Sequence, residues 1–234
     1  MKVGDTVDLT MNSNQSFIRL TKWLTILMIL IIPIQVMIFM FVPMPEDALG
    51  FITLMHDNPV MGLLHMDLLY ILNNTFLIFF YFVLFMTLNP QNKTMLNIAL
   101  ITGIVGAILY YTSNRSVEML LLSDKYFSTT DPTLRLSYIA IAESYLDIWK
   151  GTAFNTYYFL SAISLILFSI EMLKSSFYKR STDIIGLISG ILVVVPSGFG
   201  MVGLIMSLLS LIPWIIFSLM VVIRLSHMET VNVK

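Results

Sequence analysis

Residues 95–122 read MLNIALITGIVGAILYYTSNRSVEMLLL, an apolar run whose far end carries Asn114, Arg115 and Glu118. Taken as one helix, its first half is apolar all round. In its second half Tyr110, Tyr111, Asn114, Arg115 and Glu118 share a sector of about 140° at 100° per residue. Hydrocarbon does not hydrate an ionisable side chain, so charge inside such a run marks a functional-site candidate that needs a partner. Arg115 and Glu118 stand three apart and are spaced to pair with each other.

Outward from this stretch the chain keeps the same character. Of its 234 residues 57% are hydrophobic and 12% charged, with a mean hydropathy of +0.86; a soluble domain carries about a quarter charged residues. The net charge of -1 leaves no basic surface for nucleic acid. The absence of cysteine excludes disulfides, thiolate metal sites and a cysteine nucleophile. No P-loop, dinucleotide fingerprint or HExxH spacing is present.

The hydrophobic runs divide the chain. Arg19 and Lys22 precede a first run from Trp23 to Val42, and Pro43-Met44-Pro45 follows it in place of a small-residue cleavage site, so the run is expected to stay as a span. The segment from Met44 to Val60 is acidic and turn-rich, with Asp47 placed to cap a short helix running to Met55. Leu63 to Leu88 makes the second run, and Asn89-Pro90-Gln91-Asn92-Lys93 turns into the third. Asp131 before Pro132 forms an N-cap with proline at the first helical position. The helix it opens places Leu134, Tyr138, Ile141, Tyr145 and Ile148 on one side and Glu143, Asp147 and Lys150 on the other.

Gly151 joins that helix to the run from Thr152 to Leu173. Ile184 to Ile223 then holds no charge over about 40 residues, close to 60 Å of helix and twice the hydrocarbon thickness. It must fold back, and Pro196-Ser197-Gly198-Phe199-Gly200 is the turn within it. Gly186 and Gly190, then Gly203 and Ser207, are small residues four apart that let helices approach closely.

The expectation is an all-α polytopic helical membrane bundle of six transmembrane helices plus one amphipathic outer helix. A polar tail covers 1–18. A membrane domain covers 19–226, with spans at about 23–42, 63–88, 95–122, 152–173, 181–197 and 201–224 and the amphipathic helix at 132–150; a second tail covers 227–234. Nine of the thirteen basic residues, Lys2, Arg19, Lys22, Lys93, Lys174, Lys179, Arg180, Arg224 and Lys234, fall on the side of the termini. By the positive-inside rule both termini are cytoplasmic.

The outer side holds the chemistry. Asp67, Tyr70, Asn74 and Tyr81 lie within about 60° of one another on the second span. With Arg115 and Glu118, and with Glu143 and Asp147 four apart on the amphipathic helix, they make an outward-facing polar cluster of Asp67, Asn74, Arg115, Glu118, Glu143 and Asp147. Its two readings are a structural cluster of the bundle and a site for a small polar ligand or lipid headgroup. His65 and Asp67, two apart, point about 200° apart on a helix and so do not chelate one ion unless the helix begins after them. Ser197 lacks GxSxG spacing and a neighbouring histidine. Neither metal nor cofactor is expected; the lipid bilayer is the expected partner, and oligomeric state is not encoded in any readable motif. A secondary transporter and a membrane-embedded enzyme are the alternatives, the first requiring related halves with interrupted helices.

The basic turn Phe177-Tyr178-Lys179-Arg180-Ser181, the segment Gly186-Leu187-Ile188-Ser189-Gly190 and Pro213-Trp214 resemble the domain-of-unknown-function 4386 family of small six-span bacterial membrane proteins. The resemblance implies a prokaryotic cytoplasmic-membrane protein and carries no reaction or site residue with it.

Overall fold

The computed structural model describes residues 3–88 and 93–231, with side chains described within 15–88 and 93–228. Most of the expected turn at Asn89-Pro90-Gln91-Asn92 lies outside them. Every element among the described residues is a helix: α1 (Val3–Phe41), α2 (Ala48–Asp57), α3 (Pro59–His65), α4 (Leu68–Thr87), α5 (Lys93–Ser113), α6 (Ser116–Ser128), α7 (Pro132–Trp149), α8 (Thr152–Lys174), α9 (Arg180–Leu192) and α10 (Gly200–Val231). Five stretches of described residues are long and apolar enough to cross a membrane: Gln15–Phe41, Leu68–Thr87, Lys93–Ser128, Pro132–Lys174 and Gly200–Met228. Their outer faces carry exposed leucine, isoleucine, methionine and phenylalanine, which points to a multi-pass membrane protein.

Six helices form a ring. Each of α1, α4, α5, α8, α9 and α10 packs on the next, and α10 returns to α1. The helices α2, α3, α6 and α7 pack on one another as a cap. All connections between ring and cap lie at one end, because α1 and α5 end there and α4 and α8 begin there. The ring is filled away from the cap by Met28, Phe80, Tyr81, Phe168, Phe217 and Val221. The cap has its own core of Phe51, Ile52, Met55, Met66, Met119, Ala142 and Trp149.

Local chemistry sets these boundaries. Asp47 caps α2 by accepting from the Gly50 N–H at 2.7 Å, and Asp131 caps α7 by accepting from the Thr133 N–H at 2.8 Å, both as the sequence predicts. Gly151 stands at the joint between α7 and α8, and Pro196 to Gly200 forms the turn before α10.

Four expectations are corrected. The expected continuous third span is broken between α5 and α6. There the Asn114 Oδ1 accepts from the Ser116 N–H at 3.0 Å and from the Ser116 hydroxyl at 2.6 Å, drawing the chain into a turn. The second span starts at Leu68 rather than Leu63, because Asp67 adopts a left-handed conformation with φ 61° after α3 ends. The fifth helix stops at Leu192, short of the expected 197; Val193-Val194-Val195 ahead of Pro196 is β-branched and the proline disfavours helix at Val195. The polar N-terminal stretch is not a tail but the start of α1, with neither proline nor further glycine to interrupt it between Asp5 and Ile32.

The buried side of α7 follows the expected stripe only in part. Ala142 and Trp149 enter the cap core and Tyr138 and Tyr145 pack against it, while Leu134, Ile141 and Ile148 remain exposed.

Small residues let the ring close. A Cβ on Gly103 of α5 would stand 2.5 Å from the Tyr81 ring and 2.7 Å from the Ser164 hydroxyl. On α9 a Cβ at Gly186 would meet the Ser169 hydroxyl at 2.6 Å and the Phe217 ring at 2.8 Å, so this pair of small residues does bring α9 against α8 and α10. Gly106→Ala, whose methyl would meet Ser161 at 3.2 Å, is expected to melt within a few degrees of the native chain in detergent. Gly103→Val is expected to lose about 1–3 kcal/mol through overpacking and to melt well below both.

Candidate functional site

The four connections between ring and cap converge over the middle of the ring. The first is the stretch after α1, held where the His65 ring nitrogens stand 2.9 Å from the carbonyl oxygens of Met61 and Val42. Gln35 on α1 donates to the Leu64 carbonyl at 2.8 Å. At the second and third connections the breaks before α4 and after α5 are tied together, because the Asn114 amide donates to the Met66 carbonyl at 2.7 Å. At the fourth, Trp149 ends α7 and its indole N–H donates to Asp67 Oδ2 at 3.2 Å.

Beneath these joints the ring encloses a cavity of about 470 Å³, within the 300–1,000 Å³ usual for ligand sites. Its wall has two chemistries. From α4, α5 and α8 come Tyr70, Asn73, Tyr81, Tyr110, Tyr157, Tyr158 and Ser161, with Asp67 and Lys150 at the top. From α1 and the first half of α10 come Ile32, Val36, Phe39, Leu204, Leu208 and Leu211, interrupted by Ser207 and Ser210. On α8 the pattern is direct, since Phe154, Tyr157, Tyr158, Ser161 and Leu165 fall within about 100° of one another at helical spacing.

The polar wall is not fully paired. Tyr158 shares a hydrogen with Ser197 at 3.0 Å. Asn73 Oδ1 lines the cavity with no hydrogen-bond partner, on a residue 6% exposed, while the Ser161 hydroxyl has the Tyr81 hydroxyl as a side-chain partner. An unpartnered group costs about 1–3 kcal/mol when nothing meets it. Burial pushes the Asp67 carboxyl from its ordinary 3.8 up to about 7, against the pull of the Lys150 charge, the Trp149 hydrogen bond and the His65 charge.

The expected polar cluster does not assemble as one group. Asp67 lines the cavity. Asn74 is buried beside it, its amide donating to the Tyr70 carbonyl at 2.9 Å, but it does not line the wall. Arg115 and Glu118 pair with each other at 2.9 Å, their side chains 30% and 41% exposed. An ion pair this open is worth about 0–1 kcal/mol. Glu143 and Asp147 are exposed on α7, away from the cavity lining. The break after Ser113 is the reason: it turns Arg115 and Glu118 out of the ring and into the cap.

Two histidines of the described residues are engaged with neighbours. Both His65 nitrogens face backbone carbonyl oxygens, leaving neither to serve a substrate. His56 stacks on Phe127 with centroids 3.9 Å apart, at the exposed face of the cap. Among the described residues no three His, Asp or Glu side chains gather to hold a metal ion. No protein-family model, curated relative or solved structure matches the chain.

The Asp67 shift has a testable sign. Its folded pKa lies above its unfolded value, so the folded state holds this proton more tightly and the associated stability is present below about pH 4 and lost as pH rises to about 7. Asp67→Asn keeps the left-handed backbone and an acceptor for Trp149. It is expected to flatten the fall in melting temperature between pH 4 and 7 while leaving the rest of the profile in place.

Proposed function

We propose that this chain is a six-span membrane protein in which α1, α4, α5, α8, α9 and α10 cross the bilayer, and that the cavity under its cap binds a small polar ligand or a lipid headgroup. The single observation that carries the binding reading is Asn73 Oδ1, an unpartnered atom on a nine-tenths-buried residue that lines a ligand-sized cavity. Other buried polar atoms, Gln35 Oε1 and Ser169 Oγ among them, also stand without a partner; what sets Asn73 Oδ1 apart is that it lines a cavity large enough for a ligand to supply one.

The six-span reading is supported by the ring: α9 has only 13 residues, about 20 Å of helix, and the segment through Pro196 continues its path to the cap end before α10 returns. The basic residues Arg19, Lys22, Lys93, Lys174, Lys179, Arg180 and Arg224 lie toward the end of the ring opposite the cap. By the positive-inside rule that end is cytoplasmic, with both termini, and the cap faces outward. The exposed Leu134, Ile141 and Ile148 of α7 suit a helix lying at the outer membrane interface. The resemblance of the basic turn and last hairpin to the domain-of-unknown-function 4386 family is the support for placing it in a prokaryotic cytoplasmic membrane.

Native mass spectrometry of the full chain, extracted in mild detergent without delipidation, tests the binding reading. The native chain is expected to carry a discrete adduct that Asn73→Leu loses, while the stripped Asn73→Leu protein melts at or above the native temperature because an unpartnered group has been removed. A native chain without adduct, or a stripped variant that melts several degrees lower, overturns the reading in favour of a structural role.

A further inference from the structure

The cavity's two walls define the class of molecule it suits, and this step rests on the binding reading above. Among the described residues that line the cavity, Asp67 is the one carboxylate and Lys150 the one cation. Next to Asp67 the wall is aromatic: Tyr110 and Tyr157 have centroids 4.9 Å apart, Tyr157 and Tyr158 5.2 Å, and Tyr70 and Tyr110 6.4 Å. Aromatic faces around a single carboxylate attract an organic cation, since the ring quadrupole adds to the charge attraction and tolerates the bulk of an ammonium group. The Lys150 ammonium already lies 4.7 Å from the Trp149 ring centroid at the exposed rim. A positive charge there, outside the carboxylate, complements a phosphate that follows the ammonium.

The opposite wall faces the bilayer. Leu204 and Leu208 line the cavity and are nonetheless 46% and 50% exposed, so the apolar wall reaches the outer surface of the ring at α10. A soluble amine has no use for that opening; an alkyl chain does.

We infer that the cavity takes an ammonium-bearing phospholipid from the bilayer, its ammonium against Asp67 among the tyrosine rings, its phosphate toward Lys150 and its chains leaving at α10.

Phosphatidylethanolamine and phosphatidylglycerol with identical acyl chains share the phosphate and differ in the ammonium, and free phosphoethanolamine supplies the headgroup without a tail. The full chain, delipidated and returned to mixed micelles of the two lipids, is assayed by native mass spectrometry. Phosphatidylethanolamine is expected to be retained over phosphatidylglycerol by about tenfold or more, a difference of about 1.4 kcal/mol. Asp67→Asn, which keeps the backbone and the Trp149 acceptor, is expected to bring the ratio close to one. Leu208→Trp, with Leu204→Trp as a second variant should the first misfold, is expected to reduce retention of both lipids. Millimolar phosphoethanolamine is expected not to displace the lipid.

Equal retention of the two lipids by the native chain, or an unchanged ratio in Asp67→Asn, overturns the ammonium assignment, and the broader binding reading then stands or falls on the Asn73→Leu adduct. Displacement by phosphoethanolamine, or full retention in the tryptophan variants, overturns the membrane source and leaves a soluble zwitterion as the ligand.

Discussion

The hydrogen bond from the Asn114 amide to the Met66 carbonyl, at 2.7 Å, joins two helix breaks that lie far apart in sequence. Without those breaks, the stretches Pro59–Thr87 and Lys93–Ser128 would be long rods projecting from the bilayer. With them, each becomes a ring helix and a cap helix, α4 with α3 and α5 with α6. A carbonyl freed by a helix end in an apolar setting needs a donor, and an amide freed from helical packing supplies one. The same Asn114 side chain holds its own turn through Ser116, so one residue both makes a break and fastens it to the other.

This constraint explains why the polar chemistry sits where it does. Once α3 ends at His65, Asp67 falls into a left-handed turn at the top of the ring, where Trp149 reaches it from α7. The cap core and the cavity therefore share a boundary: Trp149 packs with Phe51 in the cap and hydrogen-bonds a carboxylate that lines the cavity. Below that boundary, the tyrosines of α4, α5 and α8 face leucines of α10 across an open volume. A cavity polar on one side and apolar toward the bilayer is the complement of an amphiphile.

Much of the helical plan was legible in the sequence, and what was missed has physical causes. Asp47 and Asp131 announce their helices because capping is local, and the long uncharged run after Ile184 must fold back because the bilayer is thinner than it is long. The break at Asn114 was hidden because hydropathy runs straight through it: MLLL follows the polar residues as smoothly as in a continuous span. Because of that break Arg115 and Glu118 lie in α6 apart from Asp67, where they form the ion pair that their three-residue spacing predicts. Of the stripe Asp67, Tyr70, Asn74 and Tyr81, readable from spacing, all but Asn74 line the cavity. Its partner on α8, Tyr157, Tyr158 and Ser161, shows the same helical spacing but carries no charge to draw notice. The serines of α10 stand in an otherwise uniform apolar run, and only the ring's closure gives them a common target.

Hydrogen–deuterium exchange of the native chain and Asn114→Leu, both in nanodiscs, tests most directly whether the paired breaks organise the molecule. The account predicts that the variant loses protection together at the start of α4, at the start of α6 and across α2 and α3, while the interior of α5 and α8 keeps its protection. Loss confined to residues 114–116, or no loss at all, would contradict it.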